Sequence, residues 1–316
     1  MPDATSQHNS TDHHGSRHGS RPDLPALGAD ASRAAGESGV ALLLFAVALL
    51  LLIVVGSLSQ AYRPGPLGTA LTEVLAILLP ALIFSRARRA HALHALRLLP
   101  ISRRVLWALI GGVLLGLAWF YLLAGWIEPV WERWFPVPEA ERQHMLRMLR
   151  PPTGLRPLWQ DLLCFAAVPA ICEEVLFRGA LLPLLTPALD PMLRRAGYGR
   201  VAAVAPVLAC AVLFGIFHLS LPKFFPTTLL GIGFGAARVW SHSLWAAIAM
   251  HCTNNAMVIV LTRAGLDDGP AAGSELSLGT SLGLLFAALV LGALGVRVLR
   301  HAALRLRSSS RSVDAA

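Results

Sequence analysis

Charged residues are scarce in this chain. Only 14% of its 316 residues are Asp, Glu, Lys or Arg, whereas 55% are hydrophobic. The mean hydropathy is +0.60, and a soluble globular domain carries about 25% charged residues. The composition therefore excludes an ordinary soluble domain and indicates that most of the chain has the membrane as its solvent.

Cysteine is also scarce, and its spacing excludes two kinds of site. The four cysteines all fall within hydrophobic runs, and none forms a Cys-x-x-Cys pair: Cys164, Cys172, Cys210 and Cys252. The pattern argues against a disulfide framework and against a zinc knuckle. We therefore interpret these residues as packing residues. The chain also shows no repeat of fixed period and no separate soluble domain, which favours a single membrane-embedded unit.

Long hydrophobic runs with few charged residues are abundant. A helix crosses the hydrocarbon core of a bilayer with about 20 residues, and about eight runs of this length recur along the chain. They lie near 39–59, 66–85, 105–126, 158–185, 201–220, 224–241, 243–262 and 278–299. The sequence therefore predicts an all-α fold, a polytopic transmembrane helical bundle of about eight spans.

The ends of the chain differ from this bundle. Residues 1–38 are rich in Ser, Gly, Asp and His, which predicts a disordered tail. Its histidines could bind metal, but we favour a plain soluble tail. The bundle then covers 39–299, with the candidate catalytic core at about 158–260, and a basic tail follows at 300–316.

The net charge of +9 raises the question of nucleic-acid binding. The arginines, however, flank the hydrophobic runs instead of gathering on one polar domain, so the lipid bilayer and not a nucleic acid is the expected partner. Three segments are rich in them: 86–104, 186–200 and the C-terminal tail. By the positive-inside rule these segments are cytoplasmic, which predicts a multi-pass protein with both termini inside. The Ala- and Arg-rich composition suits a bacterial inner (plasma) membrane.

The fourth run, "AVPAICEEVLFRGALL", contains three charged residues in an otherwise apolar stretch. Ionisable groups inside a membrane are costly and by default mark a functional site. On a helix, Glu174 and Arg178 share a face and can form an ion pair, whereas Glu173 points about 100° away. An unpaired glutamate in a dry site is suited to act as a general base or acid.

Two later runs add further polar residues. His218 follows Phe214 by one turn in the fifth run, and His251 and Asn255 share a face of the seventh. Histidine and asparagine side chains can both donate hydrogen bonds to an oxygen that develops negative charge. A polar network that merely joins helices is the simpler alternative, but such a network does not need two carboxylates and two histidines. Glu73, in the second run, is left without an assigned role.

These residues form three motifs in order: Glu173-Glu174-x-x-x-Arg178, Phe214-x-x-x-His218 and His251-x-x-x-Asn255. The set resembles the motifs of the CPBP intramembrane proteases. That group includes CAAX prenyl proteases, bacterial Abi proteins and proteins like lysostaphin resistance protein A. The resemblance covers about residues 158–260.

The resemblance implies hydrolysis of a peptide bond in a membrane-associated protein or peptide. It implies that Glu173 and His218 activate a water molecule and that Glu174 orients the site through Arg178. His251 and Asn255 would hold the oxyanion. We favour a mechanism without a cofactor, and the alternative is a zinc ion held by Glu173, His218 and His251.

Two other classes of protein would also place charge in the membrane. A transporter could use the glycine-rich stretch of the sixth run, "LLGIGFGAARVW", as a broken helix, although no internal symmetry supports this. A catalytically silent relative could serve as a scaffold or an immunity protein. The substrate, and whether it is prenylated, is not readable from the sequence.

Overall fold

The computed structural model describes residues 24–87, 103–150, 154, 156–266 and 278–313. Over these residues the chain is helical, with no strand. In chain order the helices are α1 (Leu24–Tyr62), α2 (Pro66–Ala87), α3 (103–132), α4 (Glu139–Leu149), α5 (158–195), α6 (Gly199–Ala202), α7 (Ala205–Phe217), α8 (Leu221–Ser241), α9 (Leu244–Ala264) and α10 (Leu278–Val313). The predicted all-α polytopic bundle is confirmed.

All eight predicted runs coincide with helical segments, but these differ in length and hydropathy. Five of the helices in the described residues are long and apolar enough to cross a membrane: Ala35–Tyr62, Pro66–Ala87, Val105–Glu132, Leu244–Ala264 and Gly279–His301. The other predicted spans correspond to α5, α7 and α8. The motif residues lie on α5, on α9 and directly after α7, so two of these three less regular helices position the candidate site.

The fifth predicted span is wrong as a single helix over 201–220. The structure divides it into α6, a turn and α7, and α7 has only 13 residues. A helix of that length spans about 20 Å, which is less than the hydrocarbon core of about 30 Å. The helix is therefore too short to cross the hydrocarbon core by itself, and His218 follows its last residue.

The N-terminal region also differs from the prediction. Helix α1 begins at Leu24, so residues 24–38 are helical and not disordered. Alanine, leucine, glutamate and arginine in this stretch are good helix formers, and they extend the membrane helix backwards. Residues 1–23, with the histidines of the predicted tail, lie outside the described residues.

Helices α2, α3 and α5 contain wide, π-helical turns, and each of these ends two residues before a proline. The turns are Glu73–Leu78, Leu123–Ile127, Leu162–Ala167 and Val175–Leu181; the prolines are Pro80, Pro129, Pro169 and Pro183. Proline has no N–H to donate and its ring clashes with the carbonyl one turn back, so the preceding turn widens. Two of these wide turns flank the paired glutamates of α5, and such turns are frequent at functional sites.

Helix α8 is continuous, and its glycines are packing residues. A Cβ at Gly231 would lie 3.0 Å from Ala211 Cα, and one at Gly235 would lie 2.7 Å from a methyl group of Val207. These glycines therefore let α8 approach α7 closely. The broken helix of the transporter alternative is not present in α8.

Candidate active site

The centre of the site is an ion pair within α5. Nη1 of Arg178 donates to Oε1 of Glu174 at 2.8 Å, and both side chains are fully buried. Nη2 of Arg178 donates to the backbone oxygen of Gly231 on α8 at 2.8 Å. The predicted pair one turn apart is therefore formed, and it also anchors α5 to α8.

The same carboxylate joins α5 to α9. Nδ1 of His251 lies 3.1 Å from Oε1 of Glu174, and Nε2 of His251 lies 4.0 Å from Oε2 of Glu173. Because a carboxylate can only accept, Nδ1 carries the proton of this hydrogen bond. Nε2 then donates to another group only when the imidazole ring carries both protons.

Glu173 faces away from Arg178, as the helix geometry predicts. The residue is 8% exposed, and its Oε2 has no hydrogen-bond partner among the described residues. The atom is therefore available to a water molecule or to a substrate. No arginine or lysine is paired with this carboxylate in the described residues.

His218 is linked to His251 by the side chain of Phe214, which contacts both residues. Nδ1 of His218 donates to the backbone oxygen of Phe214 at 2.9 Å, because a carbonyl can only accept. The ring of Phe214 makes edge contacts with both histidines, at 4.9 Å from the centroid of His218 and 5.7 Å from that of His251. With Nδ1 occupied, Nε2 of a neutral His218 is an acceptor.

Aromatic rings enclose the charged groups. The guanidinium carbon of Arg178 lies 4.7 Å from the centroid of Phe214 and 5.3 Å from that of Phe234. Phe234 also stacks on His251, with centroids 4.6 Å apart and planes at 16°. These rings exclude water and offer a cation–π interaction to the arginine, and electrostatic interactions are stronger in such a dry environment.

Asn255 lies on α9 one turn beyond His251 and is half-buried. No hydrogen bond or ring contact to another described residue is found for its side chain. The structure thus brings Glu173, Glu174, Arg178 and His251 into direct proximity. His218 contacts the ring of Phe214, which also contacts His251. Asn255 lies one helical turn from His251.

The turn that follows His218 is covered by α4 and by the chain before it. Nε1 of Trp131 donates to the backbone oxygen of Pro222 at 2.8 Å, and Nζ of Lys223 lies 2.6 Å from Oε1 of Glu141. The hydrogen bond from Lys223 lowers the pKa of Glu141. Oγ of Ser220, in the turn itself, also donates to Oε1 of Glu141 at 3.3 Å. Together these contacts supply protein cover for the turn and for the start of α8.

A second buried ion cluster lies toward the start of α5, which the sequence analysis missed. Asp161 is 0% exposed and accepts from Nε of Arg156 at 3.1 Å and from Nη1 of Arg263 at 2.7 Å. Arg263 is on α9, so this cluster is a second polar link between α5 and α9. The sequence did contain a signal for this cluster, because Asp161 is a charged residue inside the predicted fourth span.

The residues of the zinc alternative do not form a ligand set. Among the described residues, no group of three or more His, Cys, Asp or Glu side chains is arranged to hold a metal ion. Glu174, the glutamate closest to His251, already binds Arg178 through the oxygen that accepts from His251. The donor geometry of this structure therefore does not fit zinc held by Glu173, His218 and His251.

The four cysteines are free in the structure, and three are buried: Cys164, Cys172 and Cys210. Cys252 is partly buried on α9. The prediction that they pack among apolar side chains agrees with these positions. None lies in a disulfide or in a metal-binding group within the described residues.

Comparison with known proteins gives a match over the part of the chain that carries the three motifs. Residues 155–257 match the family model described as type II CAAX prenyl endopeptidase Rce1-like. Comparison with curated proteins and with solved structures gives no significant match. The matched segment begins just before α5 and ends within α9, so it includes all three motifs. This match supports the resemblance of the segment that carries the three motifs to the CPBP/CAAX protease family.

Proposed function

We propose that this protein is a glutamate-dependent intramembrane endopeptidase that cleaves a membrane-associated or lipidated protein or peptide. The observation that carries the proposal is the pair of adjacent glutamates with different partners. Glu174 binds both Arg178 and His251, whereas Oε2 of Glu173 has no hydrogen-bond partner. One carboxylate therefore holds the site together and the other is free for chemistry.

The first step is attack by water on the scissile carbonyl carbon. Glu173 and Nε2 of His218 hold the water molecule, and Glu173 takes one of its protons as the new C–O bond forms. The hydrogen bond from Nδ1 of His218 to the backbone oxygen of Phe214 supports this role of His218, because it leaves Nε2 as an acceptor for a proton of the water. Attack produces a tetrahedral intermediate whose oxygen is negatively charged.

The second step is collapse of this intermediate. His251, in its doubly protonated form, and Asn255 donate hydrogen bonds to the oxyanion. The proton on Glu173 then moves to the amide nitrogen as the C–N bond breaks, which releases an amine and a carboxylic acid. Glu174 and Arg178 take no part in bond making, and they fix His251 relative to Glu173.

The substrate class follows from the setting of the site. The motif helices lie among membrane-length helices, so a substrate must reach the site from the bilayer or from its interface. A peptide held at the membrane by a lipid or by a hydrophobic segment meets this condition. From the arginine distribution we further propose that both termini are cytoplasmic and that the protein resides in a bacterial inner membrane.

The test is cleavage of membrane-associated peptides by purified protein in detergent or proteoliposomes. The panel pairs each peptide with its prenylated form, and each assay runs with and without a strong zinc chelator. The variants are Glu173→Gln and, as a matched control, Glu128→Gln on α3, which lies outside the site. We expect loss of cleavage only for Glu173→Gln and no effect of the chelator.

Three results would contradict parts of this proposal. Inhibition by the chelator, reversed by added zinc, would show a metal-dependent mechanism. Equal cleavage by the wild type and by Glu173→Gln would remove Glu173 from the chemistry. A wild type that binds the peptides but cleaves none would favour the catalytically silent scaffold.

A further inference from the structure

Glu73 is a buried carboxylate that the mechanism above does not use. It lies on α2 at the start of the wide turn Glu73–Leu78 and is 8% exposed. Its Oε2 has no hydrogen-bond partner, and no ion pair involving Glu73 is found in the described residues. An unpaired acid group at membrane depth is costly and indicates a functional role.

The neighbour of Glu73 is the free glutamate of the active site. The turn Glu73–Leu78 packs against Val168–Glu174 of α5. The carboxyl groups of Glu73 and Glu173 are close enough to interact electrostatically, and both also act on the side chain of Cys172. Each of the two glutamates therefore has an oxygen that is buried, unpaired and in the same region of the bundle.

The surrounding elements supply no counter-ion for Glu73. The part of α1 within the bilayer, residues 39–59, contains no ionisable side chain. From α5, the ionisable groups in this region are Glu173, Cys172 and Arg178, and Arg178 is bound to Glu174 and to the backbone of α8. From α9, Nε2 of His251 lies 4.0 Å from Oε2 of Glu173. A doubly protonated His251 balances only one of the two carboxyl groups, so in a dry site the other holds a proton, and such pairs share it.

We propose that Glu73 is a positioning residue of the active site and shares one proton with Glu173, directly or through a bound water molecule. This inference rests on the proposed function. The shared proton fixes the free carboxylate of Glu173 toward the substrate. During turnover the attacking water gives its proton to Glu173, this proton leaves with the amine, and the shared proton stays in the pair.

The first experiment does not depend on cleavage. Infrared difference spectra of the purified wild type, Glu73→Gln and Glu173→Gln are recorded across a pH titration in the carboxyl stretching region. We expect a titrating carboxyl band in the wild type that either substitution removes or displaces. Wild-type and Glu73→Gln spectra in which the Glu173 band titrates identically would overturn the proposal.

The second experiment measures the pH profile of kcat and KM for the wild type, Glu73→Gln, Glu73→Asp and the control Glu128→Gln. We expect Glu73→Gln to lower kcat by about 10- to 100-fold with KM within about twofold. Its profile should move along the pH axis by about one unit or more. Glu73→Asp should recover part of the lost rate, since the acid group is retained, and Glu128→Gln should match the wild type.

The two experiments distinguish a failure of the role proposed for Glu73 from a failure of the proposed peptidase function. A lower kcat with an unmoved profile, accompanied by a lower melting temperature, would assign Glu73 a structural role and overturn the proposal. If the wild type cleaves nothing, the proposed function fails, while the infrared titration still decides whether Glu73 and Glu173 share a proton.

Discussion

Nδ1 of His251 donates a hydrogen bond of 3.1 Å to Oε1 of Glu174, which joins two helices across 77 positions of the chain. The same oxygen accepts from Arg178 at 2.8 Å. One atom of one carboxylate thus fixes a histidine of α9 and an arginine of α5. This arrangement leaves Glu173, the adjacent residue, with an Oε2 that has no hydrogen-bond partner among the described residues.

Replacing this carboxylate should affect both stability and activity. Glu174→Gln removes the charge opposite the buried guanidinium of Arg178, and breaking a buried pair costs about 3–5 kcal/mol. It also frees His251, so cleavage should fall by about 100-fold or more. Thermal unfolding in detergent and the cleavage assay measure these effects.

The matched control is Glu139→Gln on α4. Glu139 lies 4.0 Å from Arg142, and the two side chains are 70% and 48% exposed. An exposed pair contributes less than about 1 kcal/mol, so this variant should unfold and cleave like the wild type. An equal loss of stability in the two variants would contradict the importance of the buried pair.

Substitutions in the ion cluster of Asp161, Arg156 and Arg263 should have non-additive effects on the free energy of unfolding. Asp161→Asn leaves the guanidinium groups of Arg156 and Arg263 without their anion, and we expect a loss of about 3–5 kcal/mol in the free energy of unfolding. Adding Arg263→Gln to Asp161→Asn should cost less than the sum of the two single changes, because the residues share one network. Denaturation of the two single variants and the double variant in detergent gives this coupling. Strictly additive effects would mean that the cluster does not link α5 to α9.

The close approach of α7 and α8 depends on Gly215, three residues before His218. A Cβ at Gly215 would lie 2.1 Å from Oγ1 of Thr228 and 2.8 Å from the backbone oxygen of Phe224. The threonine side chain can rotate, but the carbonyl cannot, so Gly215→Ala must push the helices apart. We expect a loss of about 1–3 kcal/mol together with reduced cleavage, since His218 moves with α7.

Gly283→Ala on α10 tests whether this effect is local. A Cβ at Gly283 meets nothing within 4 Å, so the substitution should be neutral or stabilising by up to about 1 kcal/mol. The melting temperature and the cleavage rate of the two alanine variants are compared side by side. Normal activity of Gly215→Ala would show that the position of His218 does not depend on this contact.

The cover over the turn after His218 should weaken in acid. The pKa of Glu141 lies below its ordinary value of 4.5, chiefly because Lys223 hydrogen-bonds to it. The folded protein therefore binds this proton less readily than the unfolded chain, so the stabilisation is complete above about pH 5 and is lost as the pH falls through the lowered pKa. The pair is partly exposed, so the effect is less than about 1 kcal/mol and declines with added salt.

Glu141→Gln should remove this pH dependence. Melting temperatures of the wild type and of Glu141→Gln are measured between about pH 3 and pH 7 at low and at high salt. The difference between them should be largest near neutral pH and low salt, and it should vanish in acid. A difference that grows as the pH falls would contradict the assigned direction.

Some local features could have been predicted from the sequence more fully than they were. Each of the four wide turns ends two residues before a proline. The missing N–H of proline is a local property, so the widening at Pro169 and Pro183 is encoded near the paired glutamates. Asp161 was likewise visible as a charge within an apolar run. Its partner Arg263, however, is 102 positions away, and only packing brings the two together.

The sequence by itself determined that the chain is an all-α membrane bundle, because hydropathy and helix length are local properties. It also determined that Glu174 and Arg178 pair, since a helix places residues four apart on one face. Only the tertiary structure decided that α7 begins at Ala205 and has only 13 residues and that His251 binds Glu174. It alone packed the turn that begins at Glu73 against the segment that contains Glu173. Those contacts depend on how the helices pack against one another, and long-range packing leaves no periodic mark on a single sequence.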